Sequence, residues 1–366
     1  MNKPLTPGER LVRCFIGQDI DRIPFGIGLG WYAWGETKER WRHESGMPDL
    51  QPEQRFGYDA GFASPELLYG PCPQFEQEVL EENDEFIIMR EERGIIMRQR
   101  RDHGSMPEFL EHPIKTPDDW EQMKAERLNP DAPGRIPQDW DAFRARIAAG
   151  GEAVQVGAFP WGIFGTVRDL MGAEEVLMAF YDEPEMIHDM MDTMTTIWLR
   201  LYEQVAREVQ IDHIHIWEDM AGRQGSLISP AMVREFMMPY YDRIVDFARA
   251  HNVRIVSVDT DGDCSELVPI MMEHGVNMMF PFEVQAGCDI LDYREKYPTL
   301  GITGGLDKRA LASGREAIDR EVEKTAVMIE RGRYVPAWDH LIPPDVPWEN
   351  MVYATERIKA LCMGKK

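Results

Sequence analysis

Short apolar runs alternate with longer amphipathic stretches along this chain, most regularly after about residue 150. Apolar runs of this length are typical of buried parallel strands, and amphipathic stretches between them are typical of helices. The runs that the pattern predicts as strands are 23–29, 58–63, 153–159, 211–217, 253–258, 276–282, 300–305 and 334–338. Eight strand–helix units favour a single α/β domain with the (β/α)8 barrel (TIM barrel) architecture over an open doubly wound sheet, and no glycine-rich dinucleotide motif follows any of these strands.

The segment 65–145 does not fit this alternation. Two apolar runs, Phe86–Arg90 and Gly94–Arg98, flank the polar triplet 91–93, which predicts a β-hairpin inserted after the second strand. The stretch 113–137 is rich in proline and charge and is expected to form a surface excursion with a short helix. We therefore predict one domain over residues 1–366, with 65–145 as an insertion.

Acidic residues stand where many of the predicted strands end. The carboxyl ends of parallel barrel strands meet at one mouth, where barrel enzymes keep their catalytic groups, so these side chains are expected to converge. The candidates are Glu218, Asp259, Asp261, Glu283, Asp307 and His340. A ring of carboxylates with one imidazole suits a cation, which is either a metal ion or a charged part of the substrate.

Several of these candidates have an alternative structural explanation. Asp307 precedes a predicted helix and could serve only as its cap. Glu218 and Asp219 are neighbours on adjacent faces of the chain, so only one of them is expected to point inward, and we favour Glu218. His213 and His215 have a spacing that suits a metal, but they lie in the middle of a strand and are expected to be layers of the barrel interior.

Aromatic residues cluster after the first predicted strand, at Trp31, Tyr32, Trp34 and Trp41. Aromatic rings beside carboxylates commonly form the binding box for a methylated ammonium group. Such clusters are more often a hydrophobic lid or a subunit contact. We keep Trp31, Tyr32 and Trp34, together with Asp307, as candidate substrate-binding residues.

Composition narrows the classes of partner. The net charge of −24 over 366 residues argues against nucleic acid or an anionic membrane, because both require basic patches. No apolar stretch approaches the roughly 20 residues of a membrane span, and the N-terminus lacks the apolar core of a signal peptide, so a cytoplasmic location is expected. The five cysteines have neither metal-site nor disulfide spacing.

Five blocks of the chain, at 11–24, 157–192, 228–252, 304–314 and 342–351, together resemble the uroporphyrinogen decarboxylase superfamily. The resemblance implies a single (β/α)8 barrel. The superfamily contains true decarboxylases and also zinc-dependent methyltransferases, which move methyl groups between a corrinoid protein and a thiol or a pterin. Fold alone does not choose between these activities.

The residues after the first predicted strand depart from the true decarboxylases. Those enzymes carry an arginine-rich motif there, which binds the carboxylates of the porphyrinogen, whereas residues 26–34 of this chain are glycines, aliphatic residues and aromatics. A substrate with eight carboxylates is electrostatically unsuited to an acidic mouth that lacks those arginines.

The methyltransferase branch fits better, with one substitution of its metal ligands. The His-x-Cys motif of that branch falls on Asp259 and Asp261, and its later cysteine falls on His340. The resemblance therefore implies a divalent metal, Zn most readily and Mn or Fe as alternatives, held by these three residues, with Glu218 or Glu283 completing the site or acting as a base. It also implies cobalamin carried by a corrinoid partner protein and a small-molecule methyl donor or acceptor. The resemblance is compatible with a homodimer but does not require one.

Three functions follow in order of preference. The first is a metal-dependent methyltransferase that works with a corrinoid protein in one-carbon metabolism. The second is a decarboxylase or lyase for a smaller substrate, in which a carboxylate or His340 is the general acid. The third is a non-catalytic binder of a cationic small molecule, with Asp261 and Glu283 paired directly to the ligand and no metal present.

Overall fold

The computed structural model describes residues 4–101 and 106–364. Its thirteen strands are β1 (Phe62–Ala63), β2 (Glu78–Glu82), β3 (Phe86–Arg90), β4 (Ile96–Arg100), β5 (Glu108–Glu111), β6 (Ala153–Val156), β7 (His213–Trp217), β8 (Ala221–Gly222), β9 (Gly225–Ser226), β10 (Ile255–Thr260), β11 (Met278–Pro281), β12 (Gly301–Leu306) and β13 (Tyr334–Trp338).

Helices separate most of these strands. They are α1 (Pro7–Ile16), α2 (Gly35–Ser45), α3 (Pro52–Phe56), α4 (Pro117–Arg127), α5 (Trp140–Gly150), α6 (Ile163–Met171), α7 (Ala173–Asp182), α8 (Pro184–Glu208), α9 (Pro230–Met232), α10 (Met238–Ala250), α11 (Leu267–Glu273), α12 (Ile290–Lys296), α13 (Arg309–Ser313), α14 (Arg315–Arg331) and α15 (Trp348–Cys362). Short 3₁₀ turns lie at Leu29–Trp31 and Val284–Ala286, and a π-helical turn lies at Val233–Met237.

The centre of the molecule is a curled sheet of seven parallel strands in the order β1-β6-β7-β10-β11-β12-β13. In this register Asp259 of β10 lies beside Trp217 of β7 on one side and Phe280 of β11 on the other. Parallel pairing brings all the carboxyl ends to one edge of the sheet, so the residues that follow the strands share that edge.

The predicted first strand, 23–29, is wrong as a strand. In the described residues this segment is irregular, because Gly26 and Gly28 have φ of 76° and 102°, which an extended strand cannot accommodate. The segment nevertheless lies along the open side of the sheet: the Trp31 Nε1 donates to the Pro336 carbonyl of β13 at 2.7 Å, and the Asp59 N–H donates to the Phe25 carbonyl at 2.8 Å.

Helix α1 lies at the amino-terminal end of the sheet. Its side chains Leu11 and Phe15 pack in one apolar cluster with Ala153, Ile255 and Val335 from three strands. The helix therefore forms the floor of the space that the curled sheet encloses.

Between β1 and β6 the chain forms a separate four-stranded antiparallel sheet in the order β2-β3-β4-β5. Strand β3 pairs with β4 through the turn that contains Arg93. Arg93 is mostly buried and joins the sheet to the rest of the molecule, with a contact of 2.9 Å to Glu91 and one of 2.5 Å to Asp169 of α6.

Among the described helices, none combines the length and the apolar character that crossing a membrane requires.

Candidate functional site

A cavity of about 880 Å³ opens at the carboxyl ends of the strands and extends along the concave side of the sheet to Phe15 of α1. Its mouth is lined by Tyr32, Trp34, Phe159, Trp217, Asp219, Asp259, Asp261, His340 and Leu341. Its inner part is lined by Phe15, Ile27, Phe62, Gln155, His213, His215, Met278, Phe280 and Thr303. Because side chains usually fill the interior of such a sheet, space that continues to Phe15 is room for a ligand.

The end of strand β10 supplies two carboxylates to the mouth. Asp259 and Asp261 alternate with Thr260, whose hydroxyl faces away and accepts the Met220 N–H at 3.0 Å. No described residue donates a hydrogen bond to the Asp259 carboxylate. Burial, with the nearby charges of Asp261 and Asp219, raises the pKa of Asp259 well above its ordinary range.

Asp261 faces His340, the residue two positions after β13. Its Oδ2 lies 3.6 Å from the His340 Nε2, which is beyond a normal hydrogen bond but close enough for an ionic contact when the imidazole is protonated. The structure thus brings together in one cavity the three residues predicted as metal ligands.

These residues do not form a complete metal site. Within residues 4–101 and 106–364, no group of three or more His, Cys, Asp or Glu side chains has the arrangement needed to hold a metal ion. Asp261 and His340 form a pair that Asp259 does not join, and they stand where the methyltransferase branch has its two thiolates, while Asp259 stands where that branch has its histidine. The side chains present therefore do not fit the predicted metal, and no chemical step is derived through one.

Glu218 is placed differently from its prediction as a catalytic residue. It is fully buried outside the cavity, where its carboxylate accepts the N–H groups of Ile163 at 3.0 Å, Phe164 at 2.7 Å and Gly165 at 2.9 Å, and the Tyr241 hydroxyl at 2.6 Å. These N–H groups begin helix α6, so Glu218 fixes the start of that helix. Burial raises the pKa of Glu218 to about 6, although the four donors oppose the shift.

Its neighbour Asp219, which was not selected from the sequence, lines the mouth instead. The residue has φ of 42°, and this left-handed turn directs its side chain to the cavity. Arg168 of α6 holds it through contacts of 2.6 Å to the carboxylate and 2.7 Å to the carbonyl. The Arg168 guanidinium also lies 5.1 Å from the ring centre of Trp217. Burial raises the pKa of Asp219 although Arg168 opposes that shift.

Glu283 lies beside the main cavity rather than in its lining. Its carboxylate accepts the Gly262 N–H at 3.1 Å and the Lys308 ammonium at 3.4 Å. It lines a side pocket of about 220 Å³ that shares Asp261 with the main cavity. Glu283 therefore positions the loop that carries Asp261, and the structure does not place it against the main cavity as a base.

Asp307, predicted as a substrate-binding residue, lies outside the cavities described above. Its carboxylate accepts the backbone N–H of Arg309 at 3.0 Å and pairs with the guanidinium of the same residue at 2.7 Å. It therefore holds the start of helix α13.

The aromatic candidates separate into two groups. Trp31 is buried against Phe25 and Tyr58 and bonds to β13, so the structure places this predicted substrate-binding residue outside the cavity lining. Tyr32, which is half exposed, and Trp34, which is partly buried, both line the mouth as predicted.

His213 and His215 lie inside the curled sheet, as the mid-strand position predicts. Their rings share the Ser257 hydroxyl, at 2.6 Å from the His213 Nε2 and 3.2 Å from the His215 Nδ1. Burial lowers the pKa of His215 to about 4 and that of His213 well below its ordinary range, so both imidazoles are neutral near pH 7. The sequence did not indicate that they line a cavity, although polar Gln155 and Thr303 inside apolar strands gave a signal.

The cavity is acidic because its lining has aspartates and no lysine or arginine. Its twenty-four described residues include four aspartates and no lysine or arginine. Asp59 is paired with Arg22 at 2.5 Å and Asp219 with Arg168, whereas Asp259 and Asp261 contact neither a lysine nor an arginine of the described chain. An anionic ligand would meet uncompensated negative charge there, and a cation would be attracted.

A parallel α/β sheet with a ligand-sized cavity at its carboxyl edge is the architecture of a barrel-type enzyme. The family model for uroporphyrinogen decarboxylase (URO-D) matches residues 86–361, and the chain belongs to this family. Membership supports an enzymatic role.

Named relatives and a solved structure agree with this assignment. The chain is 22% identical to a uroporphyrinogen decarboxylase of Geotalea daltonii over 69% of this chain and 72% of that protein. It is 24% identical to one of Xanthomonas axonopodis pv. citri over 98% of this chain and 99% of that protein. Its fold is similar to that of a methyltransferase from Methanosarcina mazei, with a TM-score of 0.58 and 16% identity over 97% of this chain and 100% of that one.

Proposed function

We propose that this protein is a methyltransferase that acts on a small molecule in the main cavity and exchanges the methyl group with a corrinoid protein. The observation that supports this proposal is the charge of the cavity, which has Asp259 and Asp261 at its mouth and no lysine or arginine in its described lining. That lining is unsuited to the octa-anionic substrate of the true decarboxylases, and it leaves the methyl-transfer branch as the better match.

The proposal includes the architecture that the resemblance implies. The irregular segment 23–31 takes the place of the missing eighth strand, so that a (β/α)8 barrel is closed around the cavity. The antiparallel sheet of β2–β5 is then an insertion after the second unit of that barrel.

The experiment follows the corrinoid. The purified protein is mixed with cob(I)alamin and with one class of methyl donor at a time: methylated amines, sulfides or ethers. The absorbance of methylcob(III)alamin is recorded in each mixture. We expect methylation of the cobalt with one substrate class and its loss in the Asp259→Asn/Asp261→Asn double variant. The proposal would be rejected if no donor class methylated the cobalt and if methylcobalamin, in the reverse reaction, methylated none of the matching acceptors.

Metal dependence is tested in the same assay as a separate proposal. The protein is treated with a chelator, and Zn, Mn or Fe(II) is then restored. Because the three predicted ligands do not form a complete site, the chelator is expected to leave the rate unchanged. A rate that falls and recovers with one ion would show that ligand binding completes the site around that metal.

A second candidate, decarboxylation of a small substrate, is favoured by one observation. In the absence of a bound cation, burial raises the pKa of Asp259, so a substrate without positive charge would meet a carboxyl able to protonate the carbanion left by loss of CO2. A bound cation would favour the charged form of the same side chain instead. Release of CO2 from small carboxylic acids, without any corrinoid, would support this candidate over methyl transfer.

A further inference from the structure

We infer that the cavity binds an elongated cation, with a methylated ammonium group at the mouth and a neutral hydrogen-bonding group at the inner end. This inference rests on the proposed function only in that it names the class of methylated substrate. The binding itself is argued from the two ends of the cavity and is tested without any methyl transfer.

Charge at the mouth selects a cation. Asp259 and Asp261 stand at the end of one strand, and neither contacts a lysine or arginine of the described chain. Arg168 pairs with Asp219 at 2.6 Å and does not line the cavity. A positive group that enters the mouth would therefore meet Asp259, which contacts no basic side chain of the described chain, and Asp261, which is paired with the His340 imidazole at 3.6 Å.

Aromatic rings at the same mouth favour a methylated over a primary ammonium group. Tyr32, Trp34, Phe159 and Trp217 all line it, and Phe159 packs edge-on against Trp217 with 4.8 Å between the ring centres. A primary ammonium has three N–H groups, each of which needs a directional acceptor. A trimethylammonium group has no N–H group and is attracted by ring faces and by diffuse negative charge.

The inner end supplies an independent observation that points to a ligand. His213 and Thr303 are each more than nine-tenths buried and line the cavity, yet the His213 Nδ1 and the Thr303 hydroxyl have no hydrogen-bond partner. Buried polar groups are nearly always paired in native proteins, so two unpaired groups in the lining of one cavity, on strands β7 and β12, indicate missing partners.

The same residues define what that partner is. The imidazoles of His213 and His215 share Ser257 and carry no charge, and the surrounding Phe62 and Met278 are apolar. With no lysine or arginine in the described lining and with both inner imidazoles neutral, a carboxylate at the inner end would be buried without a counter-charge. A hydroxyl or an amide can bond to the His213 Nδ1 or to the Thr303 hydroxyl at no such cost.

The experiment compares ligands that differ only in charge. Calorimetric titration of the full chain uses trimethylammonium alcohols of increasing chain length and their carbon isosteres, in which a tert-butyl group replaces the trimethylammonium. We expect one chain length to bind best and its isostere to bind at least about tenfold more weakly. Equal affinity for the two members of the pair would overturn the inference.

Variants test which residues bind the cationic group at the mouth of the cavity and which bind the hydroxyl at its inner end. Asp259→Asn/Asp261→Asn should reduce the affinity for the best cation to that of its isostere, while Asp246→Asn, on the exposed face of α10, should leave it unchanged. Thr303→Val should weaken the alcohol but not the matching alkyl-trimethylammonium without a hydroxyl. If neither variant changes the affinity, the cation is bound elsewhere and the inference is wrong.

The outcomes also separate this inference from the proposed function. Cobalt methylation from a neutral sulfide or ether, with no cation binding, would reject the cationic substrate and retain the methyltransferase. Tight, charge-selective binding with no methyl transfer would retain the site and reject the methyltransferase.

Discussion

Neighbouring side chains at the end of β7 have opposite roles, and only their environment distinguishes them. Glu218 is enclosed by the first turn of α6 and by Tyr241, whereas Asp219 lines the cavity with Arg168 beside it. The sequence indicates that one acid of the pair points inward. It does not show which one, because the choice depends on the left-handed backbone of Asp219 and on a helix that begins 55 residues earlier.

Glu218→Gln should destabilise the fold. Both carboxylate oxygens accept hydrogen bonds, and an amide would place an NH2 group against at least one buried donor. We expect the free energy of unfolding to fall by about 2 kcal/mol, measured by urea denaturation at pH 7. Glu316→Gln, in an almost fully exposed side chain, serves as the control and should change it little. Equal effects of the two substitutions would contradict the structural role of Glu218.

His215 should make stability depend on pH. Burial lowers its pKa in the folded state from 6.5 to about 4, so between these values the unfolded chain binds a proton that the folded chain does not. Stability therefore rises with pH across this window and is lost as pH falls below about 6.5. Apart from the aromatic Phe280, the ring faces only the neutral Ser257 and His213.

The measurement compares the free energy of unfolding at pH 7 and pH 5 in the wild type and in His215→Asn. We expect the wild type to lose about 2 kcal/mol more than the variant over this interval. His43→Asn, at an exposed position, should lose as much as the wild type. An identical loss in all three proteins would show that His215 is not held neutral by burial.

At the scale of elements, apolar runs predicted the strands that matter for the site. Strands β7, β11 and β13 fall within predicted runs, and β10 and β12 overlap theirs but end two residues and one residue later. Their parallel pairing places the following residues at one edge. The pattern could not show in which direction each acidic side chain points or how deep the cavity is. The position of Glu218 at the start of α6, and the cavity that reaches Phe15, depend on contacts between residues far apart in the chain. Asp307 turns instead to its near neighbour Arg309.

The segment 23–31 shows that the apolar pattern also does not determine the backbone conformation. Its apolar residues predict a strand, but Gly26 and Gly28 take left-handed conformations, and the segment packs by close approach instead of by strand pairing. Gly30 is the tightest point, since a Cβ there would lie 1.9 Å from the Trp338 carbonyl oxygen of β13.

Gly30→Ala tests whether this approach closes the sheet around the cavity. We expect the methyl group to force the segment away from β13 and to lower the free energy of unfolding by about 2 kcal/mol or more. It should also weaken any ligand bound at Tyr32 and Trp34. Gly222→Ala, where a Cβ meets no atom within 4 Å, is the matched control. Similar stability and ligand affinity in the two variants would mean that the segment does not need this contact.

At the scale of the whole molecule, overall charge and cavity charge act in the same direction. The chain carries a net charge of −24, and its cavity adds four aspartates without a lysine or arginine in the described lining. Long-range and local electrostatics therefore both oppose the approach of a polyanion. This is a departure within a family whose named relatives include uroporphyrinogen decarboxylases of Geotalea daltonii and Xanthomonas axonopodis pv. citri.

We accordingly expect no turnover of uroporphyrinogen and no binding of the oxidised octa-carboxylate, uroporphyrin, by fluorescence titration at low salt. Low salt is the condition in which the repulsion between the porphyrin and the mouth is strongest, because screening is reduced, whereas high salt would weaken it. The Geotalea daltonii relative, measured beside it, is the positive control for substrate quality. If repulsion is the cause, Asp259→Asn/Asp261→Asn should permit weak porphyrin binding at high salt before it does so at low salt. Uroporphyrinogen decarboxylation by the wild type at a rate near that of the relative would show that the acidic mouth does not determine the substrate.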